Sequence, residues 1–165
     1  MSLEVFVGLG SNLGDRAGNL QLGISSLGQL GQILRFSSLY ETEPWGREDQ
    51  PHFINAVCSL HPFLRDPELF FGELKRIEKE AGRRSAERWG PRELDLDLLF
   101  WGDRIMTHES LSIPHPLLAD RRFVLVPLCQ IAPDLKHPLS GLTVHQMLES
   151  CTDPKRVEPW GEIQI

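Results

Sequence analysis

Two aspartates that alternate with leucines are the clearest sign of chemistry in this sequence. Asp95 and Asp97 lie in an apolar segment at 94–100. On a β-strand alternate side chains share a face, so both carboxylates would project from one side with their Cα atoms about 7 Å apart. Carboxylates placed in this way suit Mg²⁺, which typically takes one or two of them together with phosphate and water oxygens. An amphipathic strand with a solvated acidic face is the alternative interpretation.

A run of arginines directly precedes the aspartates, in a protein whose formal net charge is −6. Four of them fall within ten residues: Arg83, Arg84, Arg88 and Arg92. Guanidinium groups fit phosphate oxygens in bidentate geometry and keep their charge at any working pH. A solvated basic loop is the alternative, but Trp89 and the Gly90-Pro91 pair within the run favour a shaped loop. Carboxylates for a metal beside arginines for phosphate indicate phosphoryl transfer.

Two further segments carry groups suited to phosphate. His115 stands between Pro114 and Pro116, which hold the backbone and so aim the side chain, and Arg121 follows. This pair could stabilise charge on a transferring phosphate, although a structural histidine fits equally well. The glycine-rich stretch 8–14 matches neither the dinucleotide fingerprint nor a P-loop. It predicts a tight turn that lets the backbone approach a ligand.

Aromatic, hydroxyl and amide groups are concentrated at 41–46 and 53–55. A flat heterocycle needs stacking surfaces and a few hydrogen-bond partners, and these two segments supply both. Aromatic residues at strand ends are, however, more often part of a hydrophobic core.

The hydrophobic pattern predicts the elements that hold these groups. Four stretches are expected to form strands: 5–9, 32–42, 53–60 and 93–101. One helix begins after Asp15 and is expected to stop at Gly28. A second helix begins after Asp66, with Pro67 at its first position, and ends at Gly82.

The order of these elements indicates the fold. Strand, helix, strand, strand, helix, strand is the split βαβ pattern of a ferredoxin-like α+β sandwich. Residues 102–165 are expected to add short loops and helices. One helix would start near Arg121, with Pro127 in its first turn, and another would cover 143–151.

Length and composition fit a single domain over residues 1–165. The acidic balance argues against a sequence-independent nucleic-acid binder. The N-terminus has no basic region or long apolar stretch, and no window approaches the ~20 apolar residues that span a bilayer. Three scattered cysteines predict reduced thiols rather than a disulfide framework or a zinc site. These features predict a cytoplasmic enzyme without nucleic-acid or membrane partners.

Several segments together carry a resemblance to a known family. The most specific block runs Glu87-Arg88-Trp89-Gly90-Pro91-Arg92-Glu93-Leu94-Asp95-Leu96-Asp97. The other matching segments are Gly10-Ser11-Asn12-Leu13, Ser37-Ser38-Leu39-Tyr40 with Thr42, Asp49-Gln50-Pro51, Phe53-Ile54-Asn55-Ala56, Pro114-His115, Arg121, Phe123 and Ile131-Ala132-Pro133. Along nearly its whole length the chain resembles the 6-hydroxymethyl-7,8-dihydropterin pyrophosphokinase family.

The resemblance implies a ferredoxin-like fold and a reaction of folate biosynthesis. In that reaction the co-substrate ATP gives its β,γ-pyrophosphoryl group to the pterin hydroxymethyl group and leaves as AMP. The resemblance further implies that Asp95 and Asp97 hold two Mg²⁺ ions and that the protein is a monomer. The pterin would be bound by Thr42, Pro44, Trp45, Phe53, Asn55 and Phe123, with the two phenylalanines sandwiching its ring. The ATP site would comprise Glu78, Arg84, Arg88, Trp89, Arg92, Leu98, Ser112, His115 and Arg121. Arg83, Arg92 and Asp97 would act in catalysis.

The sequence departs from the family pattern at three places. Phe53 stands where many members carry tyrosine, which keeps the stacking face and loses a hydroxyl group. Pro116 replaces a larger residue found in some members, and the stretch 82–87 is about one residue shorter than in some.

Two other functions compete with this interpretation. Ferredoxin-like sheets commonly bind RNA through stacking aromatics, although here the acidic strand and the lack of the aromatic RNA-binding pattern argue against it. A metal-dependent phosphohydrolase could use the same aspartates on a different phosphate ester.

Overall fold

A computed structural model describes residues 2–82 and 91–164 of the chain. Eight strands occur in this part of the chain: β1 (Val5–Ser11), β2 (Gly31–Phe36), β3 (Leu39–Thr42), β4 (Phe53–Pro62), β5 (Asp95–Trp101), β6 (Met106–Thr107), β7 (Ser112–Ile113) and β8 (Val157–Gly161). The α-helices found there are α1 (Arg16–Leu30), α2 (Pro67–Glu80), α3 (Arg122–Ile131) and α4 (Val144–Ser150). A 3₁₀ turn, Leu118–Asp120, precedes α3.

The main sheet is antiparallel and has the spatial order β5-β1-β4-β3-β8, with β2 also paired to β4. The first strand therefore lies between the last strand of the βαββαβ unit and β4, as in a ferredoxin-like sheet. The predicted α+β fold is confirmed. β6 and β7 form a separate small hairpin. β8 extends the main sheet at the β3 edge and is a strand that was not predicted.

Helices α1 and α2 cover one face of the sheet. Phe70, Leu74 and Ile77 of α2 recur at helical spacing and are buried in the main core, together with leucines of β1 and β5. Asp66 caps this helix by accepting a backbone N–H, and Pro67 takes the first position, as predicted. The main core therefore lies between the sheet and the first two helices.

The opposite face of the sheet is only partly covered, by α3 and α4. Val124, Leu125 and Leu128 of α3 pack with Phe6 and Val57 of the sheet in a second core. The rest of this face borders a cavity. In the part of the chain that the structure describes, no helix is long and apolar enough to cross a bilayer.

The single strand predicted at 32–42 is wrong, because β2 and β3 are separated at Ser37 and Ser38. Ser37 donates its backbone N–H to the Val57 carbonyl at 2.8 Å and accepts the Val57 N–H on its Oγ at 2.9 Å. A side-chain oxygen thus replaces a backbone carbonyl in the ladder, and the strand is interrupted there.

Two predictions about helices are also wrong. Helix α1 continues past Gly28 to Leu30, since Leu27 and Leu30 both bury apolar side chains in the core. Pro127 lies in the second turn of α3 rather than in its first. Its ring is buried, and this packing offsets the loss of a backbone hydrogen bond.

Gly28→Ala is expected to raise the free energy of unfolding by about 0.5–1 kcal/mol. Gly28 is exposed within α1, and a methyl group there would meet no atom within 4 Å. Urea unfolding followed by circular dichroism measures the change. Gly18 of the same helix is the matched contrast, because a methyl group there would overlap Asp15 Oδ2, part of the carboxylate that caps α1. An equal gain for Gly18→Ala would contradict this explanation.

Candidate active site

The strand register brings the two aspartates beside two glycines of β1. Asp97 lies opposite Gly8, Asp95 lies opposite Gly10, and Gly10 in turn lies opposite Asn55 of β4. Directly opposite residues of antiparallel strands share a face. The two carboxylates and the amide therefore project from the same side of the sheet, with no side chain on β1 between them.

Strand β1 continues past its predicted end at residue 9 to Ser11, so Gly10 belongs to the strand and not to the turn predicted in the glycine-rich stretch. The chain turns only after Ser11, with Gly14 at a φ of 68°. At Gly10 a glycine is required for space rather than for a turn, because a methyl group there would lie 2.5 Å from Asn55 Oδ1. The glycine thus allows the Asn55 side chain to lie close over the strand.

A cavity of about 500 Å³ lies on this face. Its lining contains ten of the predicted site residues: Thr42, Trp45, Phe53, Asn55, Arg92, Asp95, Asp97, His115, Arg121 and Phe123. Of the site residues that the structure describes, Pro44, Glu78, Leu98 and Ser112 are not part of this lining. Arg83, Arg84, Arg88 and Trp89 lie outside the described residues.

The carboxyl group of Asp97 is the most perturbed acid in the cavity. Its removal from bulk solvent raises its pKa to about 7, and the neighbouring charge of Asp95 adds to the effect. A cation bound between the two carboxylates would stabilise their charged forms. Within residues 2–82 and 91–164, no group of three or more His, Cys, Asp and Glu side chains is placed to hold a metal. A pair of hard oxygen donors fits Mg²⁺, which also draws ligands from phosphate and water.

Glu78 of α2 holds β5 in place through a backbone hydrogen bond. The residue is 1% exposed, and its Oε2 accepts the backbone N–H of Leu96 at 2.7 Å. Lys75 donates to Oε1 at 3.0 Å. Burial raises the pKa of Glu78, while Lys75 opposes the rise. Because Leu96 stands between Asp95 and Asp97, this carboxylate holds the backbone that carries both of them.

Asn12 fixes the backbone of Arg92, a connection that was not predicted. The Asn12 N–H donates to the Arg92 carbonyl at 3.0 Å, and the Arg92 N–H donates to Asn12 Oδ1 at 2.8 Å. Asn12 Nδ2 also donates to Gln50 Oε1 and to the Pro51 carbonyl, both at 2.9 Å. One buried amide therefore joins the loop at 50–51 to the segment that carries Arg92.

His115 lines the cavity as a neutral imidazole. Burial lowers its pKa to about 4, and the positive charge of Arg121 contributes. The Leu117 N–H donates to Nδ1 at 3.2 Å, so Nε2 carries the proton. The side chain can therefore donate a hydrogen bond at neutral pH but supplies no charge.

The other end of the cavity is built from amide, hydroxyl and aromatic groups. Asn55 Nδ2 donates to Thr42 Oγ1 at 2.7 Å, and both side chains are buried. The Arg121 guanidinium lies 4.7 Å from the centre of the Trp45 ring and 5.5 Å from that of Phe123. Hydrogen-bonding groups and ring faces thus meet at one place, as a flat heterocycle requires.

Glu43 is a lining residue that was not predicted as part of the site. A hydrogen bond from the Arg156 N–H holds the pKa of Glu43 below its usual value, with the Arg156 charge adding to it. Nothing within 40–46 indicates this contact, because its partner lies at the far end of the sequence.

Comparisons with known proteins identify the family of the chain. Residues 6–133 match the family model for 7,8-dihydro-6-hydroxymethylpterin-pyrophosphokinase. The chain is 44% identical over 161 residues to the 2-amino-4-hydroxy-6-hydroxymethyldihydropteridine pyrophosphokinase of Synechocystis sp., a match that covers 95% of this chain and 82% of that protein.

Two longer proteins are also similar over most of the chain. The folic acid synthesis protein fol1 of Pneumocystis carinii is 44% identical over 150 residues, which are 90% of this chain and 20% of that protein. The HPPK-DHPS structure of Plasmodium falciparum with pteroate has a TM-score of 0.75 at 17% identity, over 91% of this chain and 42% of that one, and shows the same fold. The chain thus spans less than half the length of these two proteins. By the family model and the Synechocystis relative, the chain belongs to the 7,8-dihydro-6-hydroxymethylpterin-pyrophosphokinase family.

Proposed function

We propose that this protein transfers the β,γ-pyrophosphoryl group of ATP to the hydroxymethyl group of 6-hydroxymethyl-7,8-dihydropterin, a step of folate biosynthesis. The hydroxymethyl oxygen forms a bond to the β-phosphorus, and the bond from that phosphorus to the α,β-bridging oxygen breaks. AMP leaves with that oxygen, and the hydroxyl proton passes to solvent. The proposal rests on one cavity with two ends. Asp95 and Asp97, the acidic pair, stand at one end, and Thr42, Phe53, Asn55 and Phe123 form an amide–aromatic slot at the other.

The amide–aromatic slot suits the pterin. Thr42 and Asn55 offer hydroxyl and amide groups to the edge of the ring system, and Phe53 and Phe123 offer their faces. Because Asn55 and Thr42 are buried, a ring that left them without partners would bind poorly. Recognition of the pterin edge is therefore assigned to these two side chains, and stacking to the two phenylalanines.

The acidic end suits the polyphosphate of ATP. Asp95 and Asp97 would hold Mg²⁺, for which we propose two ions, and the metal supplies charge stabilisation for the phosphate oxygens. Arg92 and Arg121 bring positive charge to the same cavity, and His115 offers the Nε2 hydrogen bond. The catalytic contribution of these side chains is to position the reacting groups and to stabilise developing negative charge.

The test is AMP release from ATP in the presence of Mg²⁺, with and without 6-hydroxymethyl-7,8-dihydropterin. AMP that appears only when the pterin is supplied, with an equal amount of pterin diphosphate, supports the proposal. Formation of ADP, or AMP release that does not depend on the pterin, would identify a phosphohydrolase or another kinase instead. If the protein bound RNA and released no AMP, it would instead be an RNA-binding module.

Gly10→Ala is expected to raise the KM for the pterin about tenfold or more, because the added methyl group displaces the Asn55 amide from the slot. Steady-state kinetics with each substrate in turn measures the effect. The KM for ATP is expected to change much less. Gly72→Ala is the matched control, since a methyl group at that position of α2 meets no atom within 4 Å. Equal effects of the two variants would exclude a role for the space above Gly10.

We further propose that residues 1–165 act as one domain, as a monomer, in the cytoplasm. The extension of the main sheet by β8 near the end of the sequence supports one domain. ATP as co-substrate supports a cytoplasmic location. Sedimentation equilibrium at micromolar concentration tests the monomer, and a mass of 18.7 kDa is expected.

A further inference from the structure

Besides Thr42 of β3 and Phe53 and Asn55 of β4, two separate segments provide groups around the slot. Glu43 and Trp45 belong to the loop after β3, whereas Arg121 and Phe123 stand at the start of α3. The two segments meet where the Arg121 guanidinium lies against both aromatic rings. Because Phe123 is one of the two stacking faces, a shift of the helix start relative to the loop would change the width available to a flat ring between Phe53 and Phe123.

Residues 153–157, named here the C-terminal strap, contact the start of α3 through Asp153. The first N–H groups of a helix have no intrahelical partner, and the N-cap residue of α3 provides no side-chain acceptor. Asp153 Oδ2 accepts the Arg122 N–H at 3.0 Å instead. Oδ1 of the same carboxylate accepts the Lys155 N–H at 3.0 Å. One side chain thus caps the helix and ties it to the strap.

The other end of the C-terminal strap contacts the loop after β3. The Arg156 N–H donates to Glu43 Oε1 at 2.7 Å, and the Glu43 N–H donates to the Arg156 carbonyl at 3.3 Å. Lys155 forms an ion pair with Glu48 farther along the same loop. The loop is therefore held through its backbone and through two side chains.

The C-terminal strap is itself held in place at its far end. Val157 begins β8 by pairing with Thr42, and Ile163 beyond β8 is buried in the main core. The strap also lies outside the family-model match, which ends at residue 133. Among the described residues that line the cavity, none belongs to the strap.

We propose that the C-terminal strap sets the width of the slot, with Asp153 and Arg156 as positioning residues that act through α3 and Glu43. The inference rests on the proposed function in naming the pterin as the ligand of the slot. A preorganised slot binds its ligand without first ordering the loop. Loosening the strap should therefore weaken pterin binding most, while Asp95 and Asp97, which belong to β5, stay in place.

Asp153→Ala tests the proposal kinetically. It removes both acceptor oxygens, and the KM for the pterin is expected to rise roughly five- to tenfold, with a clearly smaller rise in the KM for ATP, because only Arg121 at that end adjoins the capped residue. Asp153→Asn keeps one acceptor oxygen and is expected to recover most of the affinity. Glu149→Ala is the matched control, because Glu149 is an exposed acid of α4 that pairs with His145. A lower melting temperature with both KM values unchanged would overturn the proposal.

Amide hydrogen exchange provides a measurement that needs no substrate. In Asp153→Ala, exchange is expected to rise at 122–124 and also at 43–46, at the other end of the C-terminal strap, while β1 and β5 stay protected. A rise confined to 122–124 would overturn the proposal. Coupled exchange in a protein that made no pterin-dependent AMP would uphold the strap and overturn the proposed function instead.

Discussion

Asp97→Asn is expected to lower the rate of pterin-dependent AMP formation by about 10³-fold or more. The replacement keeps the shape of the side chain but removes the charge and one of the two carboxylate oxygens that, by the proposed function, would bind Mg²⁺. Asp95→Asn is expected to have an effect of the same order, because both carboxylates face the cavity from one strand. Quenched-flow measurement of AMP at saturating ATP and Mg²⁺ gives the rate.

Asp103→Asn is the matched control for this loss. Asp103 is an exposed aspartate in the turn after β5, outside the cavity lining, and its replacement is expected to change the rate less than twofold. If Asp97→Asn retained more than a tenth of the original rate, the acidic pair would not be the metal site.

Asp97→Asn is also expected to stabilise the metal-free protein at pH 8. The pKa of Asp97 is about 7 in the folded chain and about 3.9 in an unfolded one, so the folded state binds the extra proton between these values. Stability conferred by the protonated carboxyl group is lost as the pH rises through 7. Asparagine cannot ionise, and urea unfolding in EDTA should therefore show a gain for Asp97→Asn at pH 8 that disappears near pH 4. A loss of stability at pH 8 would contradict the direction of the pKa shift.

Local patterns in the sequence are sufficient to predict most of the fold. Alternation around Asp95 and Asp97 places both carboxylates on one face, and the cap at Asp66 with Pro67 gives the start of α2. The break between β2 and β3 is not predictable in this way, because it depends on Ser37 meeting Val57 across the sheet. β8 is missed for a similar reason, since its exposed residues acquire a partner only when β3 is already in place.

The candidate site likewise contains some residues that local patterns predict and others that they do not. Residues that resemble a family motif, such as His115 and Arg121, are found from the sequence and do line the cavity. Asn12 and Glu43 act through contacts with residues 80 and 113 positions away, and no local pattern indicates such pairs. Glu78, which the resemblance assigns to the ATP site, lies outside the cavity lining, and its carboxylate accepts the Leu96 N–H.

Arg92→Ala is expected to lower kcat by about 10²- to 10³-fold, with a much smaller change in the KM for the pterin. Arg92 is 6% exposed and lines the cavity beside the acidic strand, so its charge acts in surroundings with little water. Arg92→Lys is expected to recover only part of the activity, because an ammonium group cannot bind phosphate in bidentate geometry. Arg104→Ala, at an exposed position after β5, is the control and should retain full activity.

The double variant Asn12→Ala/Arg92→Ala tests whether Asn12 acts by positioning the Arg92 side chain. Asn12→Ala alone is expected to lower kcat about tenfold, because it removes the acceptor of the Arg92 N–H and the two bonds to the loop at 50–51. If Asn12 acts by positioning Arg92, the double variant should be no slower than Arg92→Ala, since the misplaced side chain is already gone. Multiplication of the two losses in the double variant would instead mean that Asn12 contributes through the loop at 50–51, independently of the Arg92 guanidinium.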